Sequence, residues 1–113
     1  MSVTMYQNPR CNTSRRALAL LREKGVEPTI IEYLKTPYTA AQLKTLLGQL
    51  KMPARRLLRK KEAAAAGLDP SKLSEDQLIA AMVKNPIIVE RPIVVSGKKA
   101  ALGRPPEAVL SVL

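Results

Sequence analysis

The sequence contains no histidine, no phenylalanine, no tryptophan and only one cysteine. Without an imidazole, no cysteine–histidine or serine–histidine nucleophile pair can form. One thiol and no imidazole also leave almost no donor set for a transition metal, so we expect no metal site and no bound cofactor. A lone cysteine cannot form an internal disulfide. Any redox chemistry at this thiol therefore needs a second thiol that another molecule supplies.

Long hydrophobic runs are also missing, although 46% of the 113 residues are hydrophobic. No run is long enough to span a bilayer, and no basic segment followed by an apolar one indicates a secretory signal. The length predicts a single domain, 1-113, with an aliphatic core, because three tyrosines are the only aromatic residues. A lone cysteine is typical of a reducing compartment, so we expect a cytoplasmic protein, and we expect a monomer.

The formal net charge is +10, from 19 basic and 9 acidic residues. Such a charge suits an anionic partner, which could be a nucleic acid, a small oxyanion or an acidic protein. Charge alone does not choose among these partners. Nucleic-acid binding is the least favoured, because the sequence offers neither a surface for aromatic stacking nor a recognisable binding module.

The cysteine, Cys11, lies between a predicted strand and a predicted helix. The apolar run at 2–5 is typical of a strand, and the periodicity over Thr13–Lys24 predicts a helix. Free backbone N–H groups at a helix N-terminus favour an anion, and arginines at positions 10, 15 and 16 add positive charge. These features predict a lowered pKa for the Cys11 thiol and hence a nucleophilic thiolate.

The alternative for Cys11 is a buried, unreactive side chain, which is the commoner state of free cysteines. The turn and surface residues that surround it, from Asn8 to Asn12, favour the reactive thiol instead. A phosphatase-type loop is excluded, because it requires arginine at position 17 and Ala17 stands there. Ser14 gives a C-x-x-S spacing, with a hydroxyl where a dithiol oxidoreductase has its second sulfur.

The rest of the pattern predicts an α/β fold with a helical insertion. A second strand over Glu27–Leu34 completes a parallel βαβ unit with a right-handed crossover. The insertion, at about 39-85, contains two capping-box patterns, at Thr39 and Ser74, and a helix that starts at Pro53 and carries Arg55–Lys61. A hairpin over 93–102 and a last helix over 107–113 are expected to close the fold.

Three arginines are candidates for binding an anion. Arg59 ends a helical pattern, whereas Arg91 and Arg104 each precede a proline, which confines them to extended backbone. Arginine stays charged at any working pH and grips an oxyanion through its fork of N–H donors. The alternatives are a solvated helix face for Arg59 and surface ion pairs for the other two. Sequence spacing does not show whether the three converge on Cys11.

Five segments, spread in order over nearly the whole chain, carry a resemblance to a known family. They are Tyr6–Arg15 with its Asn-Pro-x-Cys sequence, Glu27–Leu34, Leu57–Lys60, Asn85–Val95 with Arg-Pro-Ile-Val-Val, and Gly103–Pro105. In these segments the chain resembles the arsenate reductase family of the glutaredoxin-coupled type, within the thioredoxin-like superfamily. The resemblance implies a four-stranded mixed sheet flanked by helices, with the helical insertion between the βαβ and ββα halves.

The resemblance also implies roles for individual residues. Cys11 matches the nucleophile that attacks arsenate and forms a thiol–arsenate adduct. Glutathione, as cosubstrate, would attack this adduct, and glutaredoxin would remove the glutathione so that arsenite is released. The oxyanion would be bound by Arg59, Arg91 and Arg104, and the active-site loop would comprise Asn12, Thr13 and Ser14, with Pro92 as a cis-proline that faces the thiol.

Two residues depart from the family pattern. Gln7 stands where well-studied members carry histidine, and Asn12 stands where glycine is common. One alternative function is an RNA-polymerase-binding regulator of the related Spx type, although Ser14 removes the C-x-x-C switch that this group often carries. Another is a glutathione-dependent thiol enzyme of the same fold that acts on a different substrate.

Overall fold

The computed structural model describes residues 2–113. Its strands are β1 (Val3–Gln7), β2 (Thr29–Glu32), β3 (Ile93–Ser96) and β4 (Lys99–Leu102). Its α-helices are α1 (Asn12–Glu23), α2 (Ala40–Leu50), α3 (Ala54–Leu57), α4 (Lys60–Ala65) and α5 (Glu75–Lys84), and short 3-10 helices cover Pro70–Lys72, Pro86–Ile88 and Pro106–Val112. Two compact units divide the chain. One contains the residues up to Thr36 together with Arg91–Leu113, and the other is Pro37–Glu90.

The first unit contains a mixed four-stranded sheet in the order β2-β1-β3-β4. β1 pairs in parallel with β2 and antiparallel with β3, and β3 pairs antiparallel with β4. The predicted βαβ unit and hairpin are therefore confirmed. β1 continues to Gln7, beyond the predicted end of the strand, while β2 is shorter than predicted.

One face of this sheet packs against α1 and the C-terminal 3-10 helix. The buried cluster combines side chains from β1, α1, β3 and that helix: Val3, Met5, Ala17, Leu21, Val94, Val109 and Val112. Full burial of each larger aliphatic side chain contributes roughly 1.5–3 kcal/mol. This packing fixes α1 on the sheet, so the first turn of α1 is held next to the carboxyl end of β1, where the loop with Cys11 begins.

The second unit is helical, and both predicted capping boxes are confirmed. At the start of α2, the Thr39 hydroxyl accepts a hydrogen bond from the Gln42 amide, and the Gln42 side chain accepts one from the Thr39 amide. Ser74 and Gln77 form the same reciprocal pair at the start of α5. Each box satisfies two N–H groups that the helix itself leaves unpaired.

The prediction of one helix from Pro53 through Lys61 is wrong, because the chain breaks between α3 and α4. Leu58 is extended and forms an antiparallel bridge with Val89. Two backbone hydrogen bonds flank this bridge, from Arg59 N to Ile88 O at 2.7 Å and from Glu90 N to Leu57 O at 2.8 Å. Those backbone groups are therefore unavailable to a continuous helix. Arg59 becomes the residue that precedes α4 instead of the end of a helix.

Candidate functional site

Cys11 is the N-cap residue of α1 and is half-buried. A tight turn holds the loop that precedes it. The Cys11 amide donates to the Asn8 carbonyl at 2.9 Å, and the Arg10 amide donates to the Asn8 side chain at 3.0 Å. Asn8 itself is buried. The loop is therefore anchored from inside, and the thiol sits beside the free N–H groups of the first helical turn.

The environment of the Cys11 thiol favours its ionised form. Desolvation by burial acts to raise its pKa, but hydrogen bonds from the Ser14 amide, the Arg91 guanidinium, the Ser14 hydroxyl and the Thr13 amide outweigh burial and lower the pKa from 9.0 to about 6. The buried Ser14 hydroxyl makes no other assigned hydrogen bond to residues 2–113 in its present orientation, so its proton can be directed to the sulfur, as its lowering effect on the thiol pKa requires. A thiol with this pKa is mostly thiolate at neutral pH.

Two of the three predicted arginines lie at this sulfur. Arg104 Nη2 is 3.8 Å from Cys11 Sγ, although 93 residues separate them in the chain. Arg91 donates a hydrogen bond to the same sulfur. Burial acts to lower the pKa of Arg91, but Tyr33 and the Cys11 thiolate outweigh burial, so the pKa of Arg91 is raised. Two guanidinium groups beside one thiolate leave a net positive charge, which can hold an anion next to the nucleophile.

The hairpin of β3 and β4 explains how these two arginines meet. Its register pairs Ile93 with Leu102, so continuing the pairing by two residues places Arg91 opposite Arg104. The Gly103 amide donates to the Pro92 carbonyl at 2.8 Å, which continues the pairing past the strands. A Cβ on Gly103 would lie 2.7 Å from Pro92 Cγ, so only glycine allows this approach.

Both arginines precede a cis peptide bond, Arg91–Pro92 and Arg104–Pro105. The cis-proline at 92 is what the resemblance implied, whereas the second cis bond was not predicted. Sequence reasoning also missed Tyr33, a fully buried residue whose phenolic oxygen accepts a hydrogen bond from Arg91 Nη1 at 3.4 Å. The sequence signal that could have pointed to Tyr33 is the scarcity of aromatic residues, because the chain has only three.

The residues of the first turn of α1 divide into those that contact the sulfur and those that pair on the surface. Thr13 and Ser14 offer backbone N–H groups to the sulfur. Asn12 accepts a short hydrogen bond from Arg15 Nη2, and this pair lies on the exposed side of the first helical turn. Arg16 pairs with Glu107 at 3.6 Å on the surface. The catalytic and binding roles assigned to these residues stay predictions.

Arg59 belongs to the second unit, and its ion pairs lie there. Its Nε is 3.1 Å from a Glu62 oxygen, and its Nη1 is 3.4 Å from a Glu90 oxygen. The alternative of a freely solvated helix face is therefore wrong for Arg59, whose side chain is only 19% exposed. Its predicted role in binding the oxyanion stays a prediction.

Two kinds of feature are absent from residues 2–113: a cluster of side chains that could hold a metal ion, and a helix that could cross a membrane. No three of their carboxylate or thiol side chains come together in a way that could hold a metal ion. No helix in that range is long and apolar enough to cross a membrane.

A mixed sheet in the order β2-β1-β3-β4, a cysteine at the N-terminus of α1 and a cis-proline before β3 define a protein of the thioredoxin-like fold with one activated thiol. The chain belongs to the ArsC family, whose model matches residues 6–112.

Individual relatives agree with this family. The chain is 53% identical to the uncharacterized protein YfgD of Escherichia coli strain K12, over 98% of this chain and 96% of that protein. It is 43% identical to an arsenate reductase of the same strain, over 99% of this chain and 81% of that protein. The solved structure of an arsenate reductase from Vibrio cholerae superposes with a TM-score of 0.90 at 43% identity, covering 100% of this chain and 98% of that one.

Proposed function

We propose that this protein is a cytoplasmic arsenate reductase that uses Cys11 as its nucleophile and takes its electrons from glutathione and glutaredoxin. The observation that carries the proposal is the position of Arg104 and Arg91 at the Cys11 sulfur. The names of the relatives support arsenate as the oxyanion. The presence of only one cysteine supports an external source of electrons, because the chain cannot supply a resolving thiol.

The first chemical step forms a bond between Cys11 Sγ and arsenic. The thiolate attacks arsenate, and one arsenate oxygen takes up protons and leaves as water. Arg91 and Arg104 hold the remaining negative oxygens, with Arg59 as the third arginine that the resemblance assigns to the oxyanion. Backbone N–H groups of Thr13 and Ser14 stabilise the thiolate before the attack. These donors are in place before the charge moves, which is how such sites lower a barrier.

Reduction then requires two outside thiols. The glutathione thiol displaces a second oxygen, again as water, and forms an arsenic–sulfur bond. A glutaredoxin thiolate attacks the glutathione sulfur, and the electron pair of the broken arsenic–sulfur bond stays on arsenic, which passes from As(V) to As(III). Glutaredoxin leaves as a mixed disulfide with glutathione. Hydrolysis of the last arsenic–sulfur bond releases arsenite and restores Cys11.

The test is arsenate turnover by the purified protein with glutathione and glutaredoxin, measured by arsenite formation. We expect turnover by the native chain and none by Cys11→Ser. Equal turnover by both proteins would rule out the thiol mechanism. Absence of turnover by both would favour another substrate for the same thiol, or the polymerase-binding alternative, which a pull-down independent of Cys11 would identify.

A further inference from the structure

The guanidinium of Arg59 is already engaged by two carboxylates. The Glu62 carboxylate lies against two nitrogens of Arg59. Arg59 Nε is 3.1 Å from one carboxylate oxygen, and Arg59 Nη2 donates to the other oxygen at 3.1 Å. Glu90 approaches the third nitrogen, Nη1, at 3.4 Å. Each nitrogen of this guanidinium therefore already faces a negative oxygen.

The three side chains are largely withdrawn from water. The exposed fraction is 19% for Arg59, 28% for Glu62 and 19% for Glu90. Charges in such surroundings interact more strongly than charges on an open surface. The two carboxylates each carry a negative charge beside Arg59, so each opposes the approach of an anion to this arginine. An arginine in this state is a poor anion ligand until a carboxylate moves away.

We propose that Glu62 and Glu90 are positioning residues that compete with the oxyanion for Arg59, so that the substrate binds this arginine by displacing a carboxylate. Of the two contacts with Arg59, the one from Glu90 is the weaker, because Glu90 approaches one nitrogen at 3.4 Å whereas Glu62 approaches two nitrogens at 3.1 Å each. The pair of glutamates thereby sets how tightly and how selectively the oxyanion is bound. This inference rests on the proposed function in one respect, the assignment of Arg59 to the oxyanion.

The test measures anion binding separately from turnover. Binding of arsenate, sulfate and nitrate to the Cys11→Ser protein is followed by calorimetry, in this background and with Glu62→Gln, Glu90→Gln or both. Glutamine keeps the size of the side chain and removes its charge. We expect arsenate and sulfate to bind about three- to tenfold more tightly in each single variant and nitrate to change less, because the electrostatic gain scales with the charge of the anion.

Glu27→Gln is the matched control. Glu27 also pairs with an arginine, Arg22 at 3.0 Å, but in the first unit and on the surface. This variant changes the net charge by the same amount, so an equal gain in affinity would show a general charge effect and overturn the proposal. In the Cys11-containing enzyme, we expect Glu90→Gln to lower KM for arsenate, since KM reports the binding step that this glutamate opposes.

Two other outcomes would also overturn the proposal. Weaker anion binding in the glutamine variants would mean that the carboxylates hold Arg59 in its binding position. Unchanged binding in Arg59→Ala would mean that this arginine does not bind the oxyanion at all. Both results would leave the chemistry at Cys11 intact. Conversely, native protein that binds arsenate without reducing it would contradict the proposed function. The calorimetry would still decide whether the glutamates compete with the oxyanion for Arg59. Thermal unfolding of each variant shows whether the second unit remains folded.

Discussion

The phenolic oxygen of Tyr33 lies 3.4 Å from Nη1 of Arg91, the same guanidinium that hydrogen-bonds the Cys11 thiolate. Tyr33 follows β2 at one edge of the sheet, whereas Arg91 precedes β3 on the other side of β1. The hydrogen bond therefore restrains a half-buried guanidinium whose own backbone is fixed by the following proline. Tyr33 thereby orients the Arg91 guanidinium, which donates to the thiolate.

Replacement of this tyrosine tests that relationship. In Tyr33→Phe, Arg91 loses one oriented acceptor. Because this hydrogen bond is long, at 3.4 Å, we take it as worth roughly 0.5–1.5 kcal/mol, so arsenate affinity should fall about two- to tenfold. The pKa of Cys11 should rise, which the ultraviolet absorbance of the thiolate measures across a pH titration. Tyr38→Phe is the control, because Tyr38 is equally buried but lies in the second unit. Equal effects of the two variants would contradict the role given to Tyr33.

Removal of either arginine at the sulfur should weaken both the stabilisation of the Cys11 thiolate and the binding of arsenate. We expect Arg91→Ala and Arg104→Ala to raise the pKa of Cys11 toward 9.0, because each deletes a positive charge at the thiolate. Arsenate affinity should fall about ten- to hundredfold, as charged hydrogen bonds are worth roughly 1.5–3 kcal/mol. Thiol titration and calorimetry measure the two effects. Arg16→Ala removes an equal charge from a surface ion pair and should change neither.

The pH dependence of alkylation reports the thiol directly. The rate of modification by iodoacetamide should rise through a midpoint near the pKa of about 6, well below the 9.0 of an ordinary thiol. At pH 7 the native protein should therefore react much faster than the same protein unfolded in urea. A midpoint close to that of the unfolded chain would contradict the described environment of Cys11.

The same pKa has a consequence for stability, and its sign is fixed. The folded state binds the Cys11 proton less tightly than the unfolded state, so the unfolded chain carries more protons between pH 6 and 9. The free energy of unfolding should therefore rise as pH increases across this window, and the gain should be lost as pH falls through the folded pKa. Urea unfolding of Cys11→Ser should lack this part of the pH dependence.

The close approach at Gly103 makes a separate prediction about packing. Alanine at this position would place Cβ 2.7 Å from Pro92 Cγ and 3.0 Å from Val109 Cγ1, so Gly103→Ala should lower the free energy of unfolding by roughly 1–3 kcal/mol. Gly48→Ala is the control. Gly48 lies within α2 with nothing within 4 Å of its Cβ, and alanine there should stabilise the protein by roughly 0.5–1 kcal/mol. Denaturant unfolding of the two variants should therefore shift in opposite directions.

Much of the fold could be predicted because its signals are local. The capping boxes at Thr39 and Ser74 depend on two residues three positions apart, and both appear as predicted. The break at Leu58 could not be predicted, because it depends on a bridge to Val89, which is distant in the sequence. Local helix propensity was outweighed there by a tertiary backbone pairing.

The candidate site divides in the same way. The position of Cys11 at a helix N-terminus is a local property, and it was visible in the sequence. The meeting of Arg91 and Arg104 at the sulfur depends on the register of the hairpin and on the antiparallel pairing of β3 with β1, which residue spacing does not encode. Their positions before proline made these two arginines candidates, the resemblance assigned them a role in binding the oxyanion, and the geometry places both at the Cys11 sulfur. The carboxylates at Arg59 are absent from both kinds of sequence reasoning.

Arg91 precedes β3 and Arg104 follows β4, so both lie at the open base of one hairpin, and a single contiguous stretch of chain carries both cations. The tip of that hairpin, at Gly97 and Lys98, is the end remote from both guanidinium groups. A reporter peptide could therefore be inserted at the tip without altering the register that aligns the two bases of the hairpin. The converse holds for a one-residue deletion inside either strand, which would shift one arginine relative to the other and dismantle the cationic half of the site in a single change.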